Sequence, residues 1–216
     1  MKICHRYRNS IDSSLEKSIN LNMKEWKHYD EDNNDCKIFV NKNDKNKLAI
    51  KKVVGLFAKE IAYTFWSIDE NVKLEWDQSV QSMKILEVLS PNCAILHLKM
   101  KRIWPAKARD CVVCTELLQI ADDEWVVNNI SVTHPMTNVV ESDYVRIPNV
   151  NINMYVKEEL INKNGERTRD NIISTIRFNA DIDVGNWVSN VVMNNMCHKT
   201  WMSTLDELCK TVMKKI

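Results

Sequence analysis

The chain has 216 residues, 44% hydrophobic and 27% charged, with 30 basic against 29 acidic side chains and a formal net charge of +1. That length and balance fit one sizeable globular domain. Near-neutrality excludes the clustered positive charge of a non-specific nucleic-acid binder, and it excludes strong electrostatic capture by anionic lipid. Seven cysteines, an odd number scattered among apolar neighbours, read as reduced thiols rather than a disulfide framework. No stretch reaches the about 18 apolar residues of a membrane span, and MKICHRYRNSIDSS lacks the apolar centre of a signal peptide.

In chain order, Ser13–Met23 carries Leu15, Ile19 and Met23 at four-residue spacing and reads as a short amphipathic helix. Polar clusters at 30–35 and 41–47 then set off short strands at Cys36–Val40 and Leu48–Phe57. Ala58–Trp66 and Asn71–Asp77 read as two short helices. From Val80 the chain turns Val/Ile-rich and partly alternating, punctuated by Ser-Pro-Asn, Ala-Asp-Asp and Lys-Asn-Gly. Strands are expected at Val80–Leu89, Asn92–Met100, Ala108–Ile120, Glu124–Val132, Ser142–Lys157 and Arg167–Ala180, in one large curved antiparallel sheet. Near the end, Met193, Cys197, Trp201, Leu205, Leu208 and Val212 recur at three- and four-residue steps, which predicts a long helix over Asn186–Lys214. Such a helix packs into the concavity of the sheet. The expected class is therefore α+β, a helix-grip with an elongated apolar space between sheet and helix. Residues 1–47 are expected to supply the first helix and strands, and 48–216 the core of a single domain.

Few residues look chemical. Cys111 and Cys114 have CxxC spacing, but a strand points them to opposite faces and no second ligand pair accompanies them. The five histidines show no metal-ligand spacing, and no GxSxG or glycine-rich phosphate loop occurs, so no enzyme, cofactor or metal is expected. Within KRIWPAKARD, Lys101–Asp110, a Trp-Pro pair tips a loop between two apolar runs. Trp104 either folds back into the core or meets a membrane surface, where an amphipathic ring is at home. Lys73 and Asp77 stand at i, i+4 and so share one helical face. They form either an ordinary exposed ion pair or a matched pair of charges for a zwitterionic ligand.

TFWSIDENVKLEWD, KRIWPAKARD, EWVVNNISVTH, RTRDNIISTIRFNADIDVGNW and the final helix resemble, in order and spacing, the START (steroidogenic-acute-regulatory-related lipid transfer) domain family, over roughly residues 53–216. The resemblance is closest to members that carry ceramide, then to those that carry phosphatidylcholine. It implies one lipid held in a tunnel beneath the last helix and moved between membranes. Each methylene moved from a bilayer into water costs about 0.8 kcal/mol, so such a cargo needs near-complete apolar enclosure. By the same resemblance, Trp104 and Pro105 with Trp187 and Val188 form a membrane-contacting rim, and Val191, Val192 and Met196 belong to the lid helix.

The headgroup positions of the ceramide-carrying members fall on Asp77, Leu98, Asn129 and Phe178. Asn129 matches, Asp77 is a shorter acid, and Leu98 and Phe178 have lost the polar groups of a Gln and a Tyr. In the phosphatidylcholine carriers an Arg and an Asp meet the phosphocholine, and Lys73 and Asp77 take those places. Arg109 matches the family's Arg-Asp pair and either braces the mouth or helps hold a headgroup. The implied function is binding and transfer of a phosphatidylcholine-like phospholipid with broad selection. Ceramide or sphingolipid transfer, or lipid-gated signalling without transfer, are the alternatives. The implied setting is a cytoplasmic monomer, transiently peripheral at membranes, unless a leader precedes this chain.

Overall fold

The computed structural model describes residues 22–32, 35–43, 47–102, 107–137, 143–183 and 190–216, with 190–198 described by backbone alone. Among the described residues ten strands make one sheet: β1 (Trp26–Glu31), β2 (Cys36–Asn41), β3 (Lys47–Val54), β4 (Val80–Ser90), β5 (Cys93–Met100), β6 (Ala108–Ala121), β7 (Glu124–Ser131), β8 (Tyr144–Arg146), β9 (Asn149–Leu160) and β10 (Ile172–Asp183). Helices α1 (Ala58–Trp66) and α2 (Glu70–Trp76) lie between β3 and β4, and α3 (Asn190–Met213) comes last. The strand order is β1-β2-β3-β10-β9-β7-β6-β5-β4, with β1 and β4 at the two edges. Every pairing along this path is antiparallel; β8 lies off it and pairs parallel to β6.

Local chemistry sets the boundaries. β3 stops before Gly55, whose φ of 81° is left-handed backbone that glycine adopts without strain. At the start of α1, the Glu60 carboxylate accepts the Phe57 N–H and Glu158 of β9 accepts the Ala58 N–H, both at 3.2 Å. Two carboxylates thus satisfy donors that a helix start leaves without partners. Asp69 caps α2 by accepting the Asn71 N–H at 2.9 Å, and Glu70 ties the helix to β4 by accepting the Met83 N–H at 2.8 Å.

The core fills the space between one sheet face and the helices. Ile38, Val127, Met154 and Ile176 of the sheet pack with Ile61 and Phe65 of α1 and Leu205 and Leu208 of α3. Leu117, Val127, Met154, Phe178 and Ala49 lie side by side in register across five strands, each no more than 5% exposed. In the next inward row Asn129, Ile152 and Ala180 are only half-buried. A second apolar cluster, including Met83, Leu96, Cys111 and Val113, lies beyond. Only that row loosens, on β7, β9 and β10; Leu96, Val113 and Val150 beyond it are again buried.

A buried ion pair fastens α3. Lys51 Nζ lies 2.6 Å from Asp206 Oδ1, and their side chains are 6% and 15% exposed. Nearby, burial pushes the thiols of Cys36 and Cys209 up to about 12 and about 11, so neither is a reactive thiolate.

The helix-grip expectation holds, with local corrections. The sheet is not wholly antiparallel, because the strand expected over Ser142–Lys157 breaks at Pro148 into parallel β8 and antiparallel β9. The strand expected from Arg167 begins only at Ile172, after a 3-10 turn over Arg169–Asn171. β1 was not expected at all. The helix expected over Ser13–Met23 lies outside the described residues up to position 21, and Met23 opens a 3-10 turn.

Removing one partner of the Lys51–Asp206 pair leaves the other charge buried. Asp206→Ala is expected to lower the unfolding free energy by about 3–5 kcal/mol in urea titrations. Lys51→Met combined with Asp206→Leu should recover most of that loss.

Candidate lipid-binding site

Lys73 is the unusual residue of the interior. It is 8% exposed, and its Nζ stands 4.1 Å from the Trp76 ring centroid and 5.0 Å from that of Phe65. Those two rings are stacked at 5.2 Å. Asp77 Oδ2 is 3.9 Å away, beyond hydrogen-bond range. The Asp77 carboxylate is otherwise engaged, with Oδ1 accepting the Ser79 hydroxyl at 2.6 Å and the Ser79 N–H at 3.2 Å. Burial holds the Lys73 ammonium below the ordinary lysine range, and Asp77 offsets that only in part. The i, i+4 pair is thus a desolvated cation with a loosely placed counter-charge, not an exposed helix bridge.

The other expected headgroup residues share the inner face without forming one cluster. Phe178 is 5% exposed and packs edge-on against Phe65 at 6.1 Å and Trp201 at 5.4 Å. It is therefore a core ring, joined to the Lys73 surroundings through Phe65. Leu98 packs in the second cluster, in register with Met83 and Cys111. Asn129 faces inward between Thr115 and Ile152, one row beyond Phe178.

Arg109 and Asp110 point to opposite faces, as strand alternation requires. Arg109 lies on the Cys111 side; its Nη1 donates to the Lys107 carbonyl, and its buried Nε has no acceptor among the described residues. Asp110, 2% exposed on the other side, accepts two hydrogen bonds from Arg146 at 2.9 and 2.8 Å and lies 2.8 Å from His97 Nε2. Burial pushes the Asp110 carboxyl up, but the Arg146 fork and His97 outweigh it and hold it below the usual carboxylate range. His97 faces away from Leu98, toward Asp110.

Trp104, Pro105, Trp187 and Val188 lie outside the described residues, as do the side chains of Val191, Val192 and Met196. Sequence reasoning missed three residues of this region. Phe65 had a usable signal, since it follows Ile61 by one helical turn. Trp201 was visible only as one apolar position among many. Arg146 carried none, because it reaches Asp110 through the parallel β6–β8 pairing. Among the described residues no group of three His, Cys, Asp or Glu side chains could hold a metal ion, and no helix is long and apolar enough to cross a membrane.

A sheet gripping a terminal helix, with a buried cation set against aromatic rings, defines a helix-grip binding domain. The chain belongs to the START domain family, whose model matches residues 6–215, more than the resemblance had covered. It is similar to the ceramide transfer protein of Xenopus tropicalis, 24% identical over 235 aligned residues that take in 98% of this chain and 36% of that protein. It is also similar to the human ceramide transfer protein, 26% identical over 180 residues, 77% of this chain and 27% of that protein. The chain therefore spans about a third of the length of these curated relatives. Among solved structures, human StAR-related lipid transfer protein 5 superposes with a TM-score of 0.75 at 13% identity, covering 98% of both chains. Human STARD10 gives 0.67 at 15% identity, over 94% of this chain and 79% of that one. The family is one of lipid carriers rather than enzymes.

The depressed Asp110 carboxyl has a pH signature. Its stabilisation is complete above the unfolded carboxylate value, about 3.9, and is lost as pH falls through the lower folded value. Urea titrations should find wild type more stable than Asp110→Asn at about pH 5, with the gap closing below about pH 4. A gap that stayed constant to about pH 2 would deny the carboxylate this role.

Proposed function

We propose that the chain binds one phosphatidylcholine-like glycerophospholipid, with broad selection, and transfers it between membranes. The observation that carries this reading is Lys73. A buried ammonium held by two aromatic faces and a carboxylate at 3.9 Å has no strong acceptor among the described residues. A lipid phosphate supplies one, because a hydrogen bond to a charged group is worth about 1.5–3 kcal/mol. Asp77, close by, balances a choline or ethanolamine cation. Ceramide offers no anion, and at Leu98 and Phe178 its amide and hydroxyls would meet apolar side chains, at a cost of about 1–3 kcal/mol per unpaired group.

Ceramide or sphingolipid cargo is the second reading, favoured by Asn129 and by the similarity to ceramide transfer proteins. We assign Trp104, Pro105, Trp187 and Val188 to the rim that touches the membrane, and Val191, Val192 and Met196 to the lid. Arg109, inward-facing at the start of β6, braces the Lys107 backbone and leaves its Nε to a ligand oxygen. We place the protein in a reducing compartment such as the cytoplasm, acting as a monomer. Five described cysteines, all buried and none in a disulfide, accord with that setting.

The decisive test is native mass spectrometry of protein equilibrated with mixed vesicles. Phosphatidylcholine should be recovered in preference to ceramide. Lys73→Met should lower that recovery at least about tenfold, while stability holds or rises because a desolvated charge has gone. Ceramide as the main adduct, or unchanged recovery by the variant, would overturn the phosphate reading. In a vesicle-to-vesicle assay with labelled phosphatidylcholine, Trp104→Ala should slow transfer about tenfold with the bound amount unchanged. Wild-type transfer by that variant would remove Trp104 from the rim, and lipid bound without any transfer would favour a sensor.

A further inference from the structure

We infer that Cys93 and Cys114 form a reversible thiol–disulfide pair, a site that hydroperoxides oxidise and small thiols such as glutathione reduce. Their Sγ atoms lie 3.5 Å apart, in direct contact between adjacent strands. Neither is in a disulfide. The CxxC spacing joins Cys114 to Cys111 in the sequence, but the sheet separates them. Cys111 packs in the inner apolar cluster, whereas Cys114 lies on the other face of β6 with Cys93 and Ile130. The neighbour of Cys114 thus comes from β5, 21 residues away along the chain.

The register says what kind of bond this pair can make. Cys93 stands opposite Glu116 and Cys114 opposite Ile95, so the two cysteines are diagonal neighbours on one face. Diagonal Cα atoms on antiparallel strands are about 7–8 Å apart, against about 4.4–6.8 Å in an ordinary disulfide. Closing the bond therefore draws the strands together and strains it, and strained disulfides are the labile ones. That argues against a permanent staple and for a transient link, the form disulfides take in a reducing compartment. Cys93 is the residue able to give way, because it opens β5 directly after the turn from β4.

Both thiols are buried, at 0% and 1% exposure. Among the described residues their cover is thin. Only Leu89 and Val132, themselves partly buried, complete the cluster, and Leu89 belongs to the edge strand β4. The β4 ladder is irregular at Ile85/Glu87 and again at Val88/Ser90, beside Cys93. Local opening of that edge is the route by which an oxidant reaches the pair. The Cys93 thiolate attacks one hydroperoxide oxygen, the O–O bond breaks, and a sulfenic acid and an alcohol or water result. Cys114 then attacks the Cys93 sulfur, the S–S bond forms, and the sulfenic oxygen leaves as water. The protein loses two hydrogens and one hydroperoxide is reduced. Two exchanges with glutathione restore both thiols and release glutathione disulfide.

The test treats the reduced full chain with hydrogen peroxide, alkylates the remaining thiols and maps the peptides by mass spectrometry. A peptide linked through Cys93 and Cys114 should appear, and reduced glutathione should return it to two alkylatable thiols. In Cys114→Ala the link should be absent and Cys93 should be trapped as its sulfenic acid by dimedone. Cys114→Ser takes the place of that variant if circular dichroism shows it unfolded. Recovery of Cys93 and Cys114 from peroxide-treated native protein as separate alkylated peptides, or linked only to other cysteines, overturns the pair. So does a link that forms only in urea. A link that glutathione leaves intact overturns its reversibility.

Discussion

The interior of this domain depends on where its last helix is fastened. Lys51 and Asp206 meet at 2.6 Å between β3 and α3, away from solvent, while Leu205, Leu208 and Val212 pack on the same core. A buried ion pair adds little net stability against an apolar replacement, but it fixes register, because any slip strands two charges. With the C-terminal half of α3 held in this way, an opening motion that releases lipid cannot easily begin there. The packing agrees, since Leu205, Leu208 and Val212 are all sealed from solvent.

Much of the sheet could be read from the chain because β6, β7, β9 and β10 carry long Val/Ile runs bounded by turn residues. What could not be read follows from weaker local signals. β1, Trp26–Glu31, is an edge strand with mostly exposed side chains, so burial imposes no apolar alternation on it. The split at Pro148 had a visible cause, since proline removes a ladder donor, but the parallel docking of β8 did not. That docking is what brings Arg146 to Asp110, 36 residues earlier in the chain.

The site shows the same division. The spacing of Lys73 and Asp77 places them on one helical face, but spacing says nothing about burial or about competition for the carboxylate. Ser79, two residues on, takes one Asp77 oxygen with both its hydroxyl and its N–H, which leaves Lys73 with the weaker contact. The aromatic neighbours of Lys73 come from α1 and α2, and their contact depends on how those helices fold onto the sheet.

Aromatic faces stabilise a buried cation without hydrogen-bonding it, and that makes Lys73 a poised group rather than a finished one. A fully bonded ammonium would leave nothing for a ligand to supply, and a bare one would lose its proton to burial. Burial holds the Lys73 ammonium below the ordinary lysine range, and on the proposed reading a phosphate would stabilise the charged form. The changes at Leu98 and Phe178 act in the same direction. Each removes a hydrogen-bonding partner that a ceramide amide or hydroxyl would need, and Phe178 turns its position into part of an apolar wall against Trp201. On the proposed reading, the substitutions at Leu98 and Phe178 form one consistent shift, away from bonding neutral polar groups and toward a single anion held at Lys73.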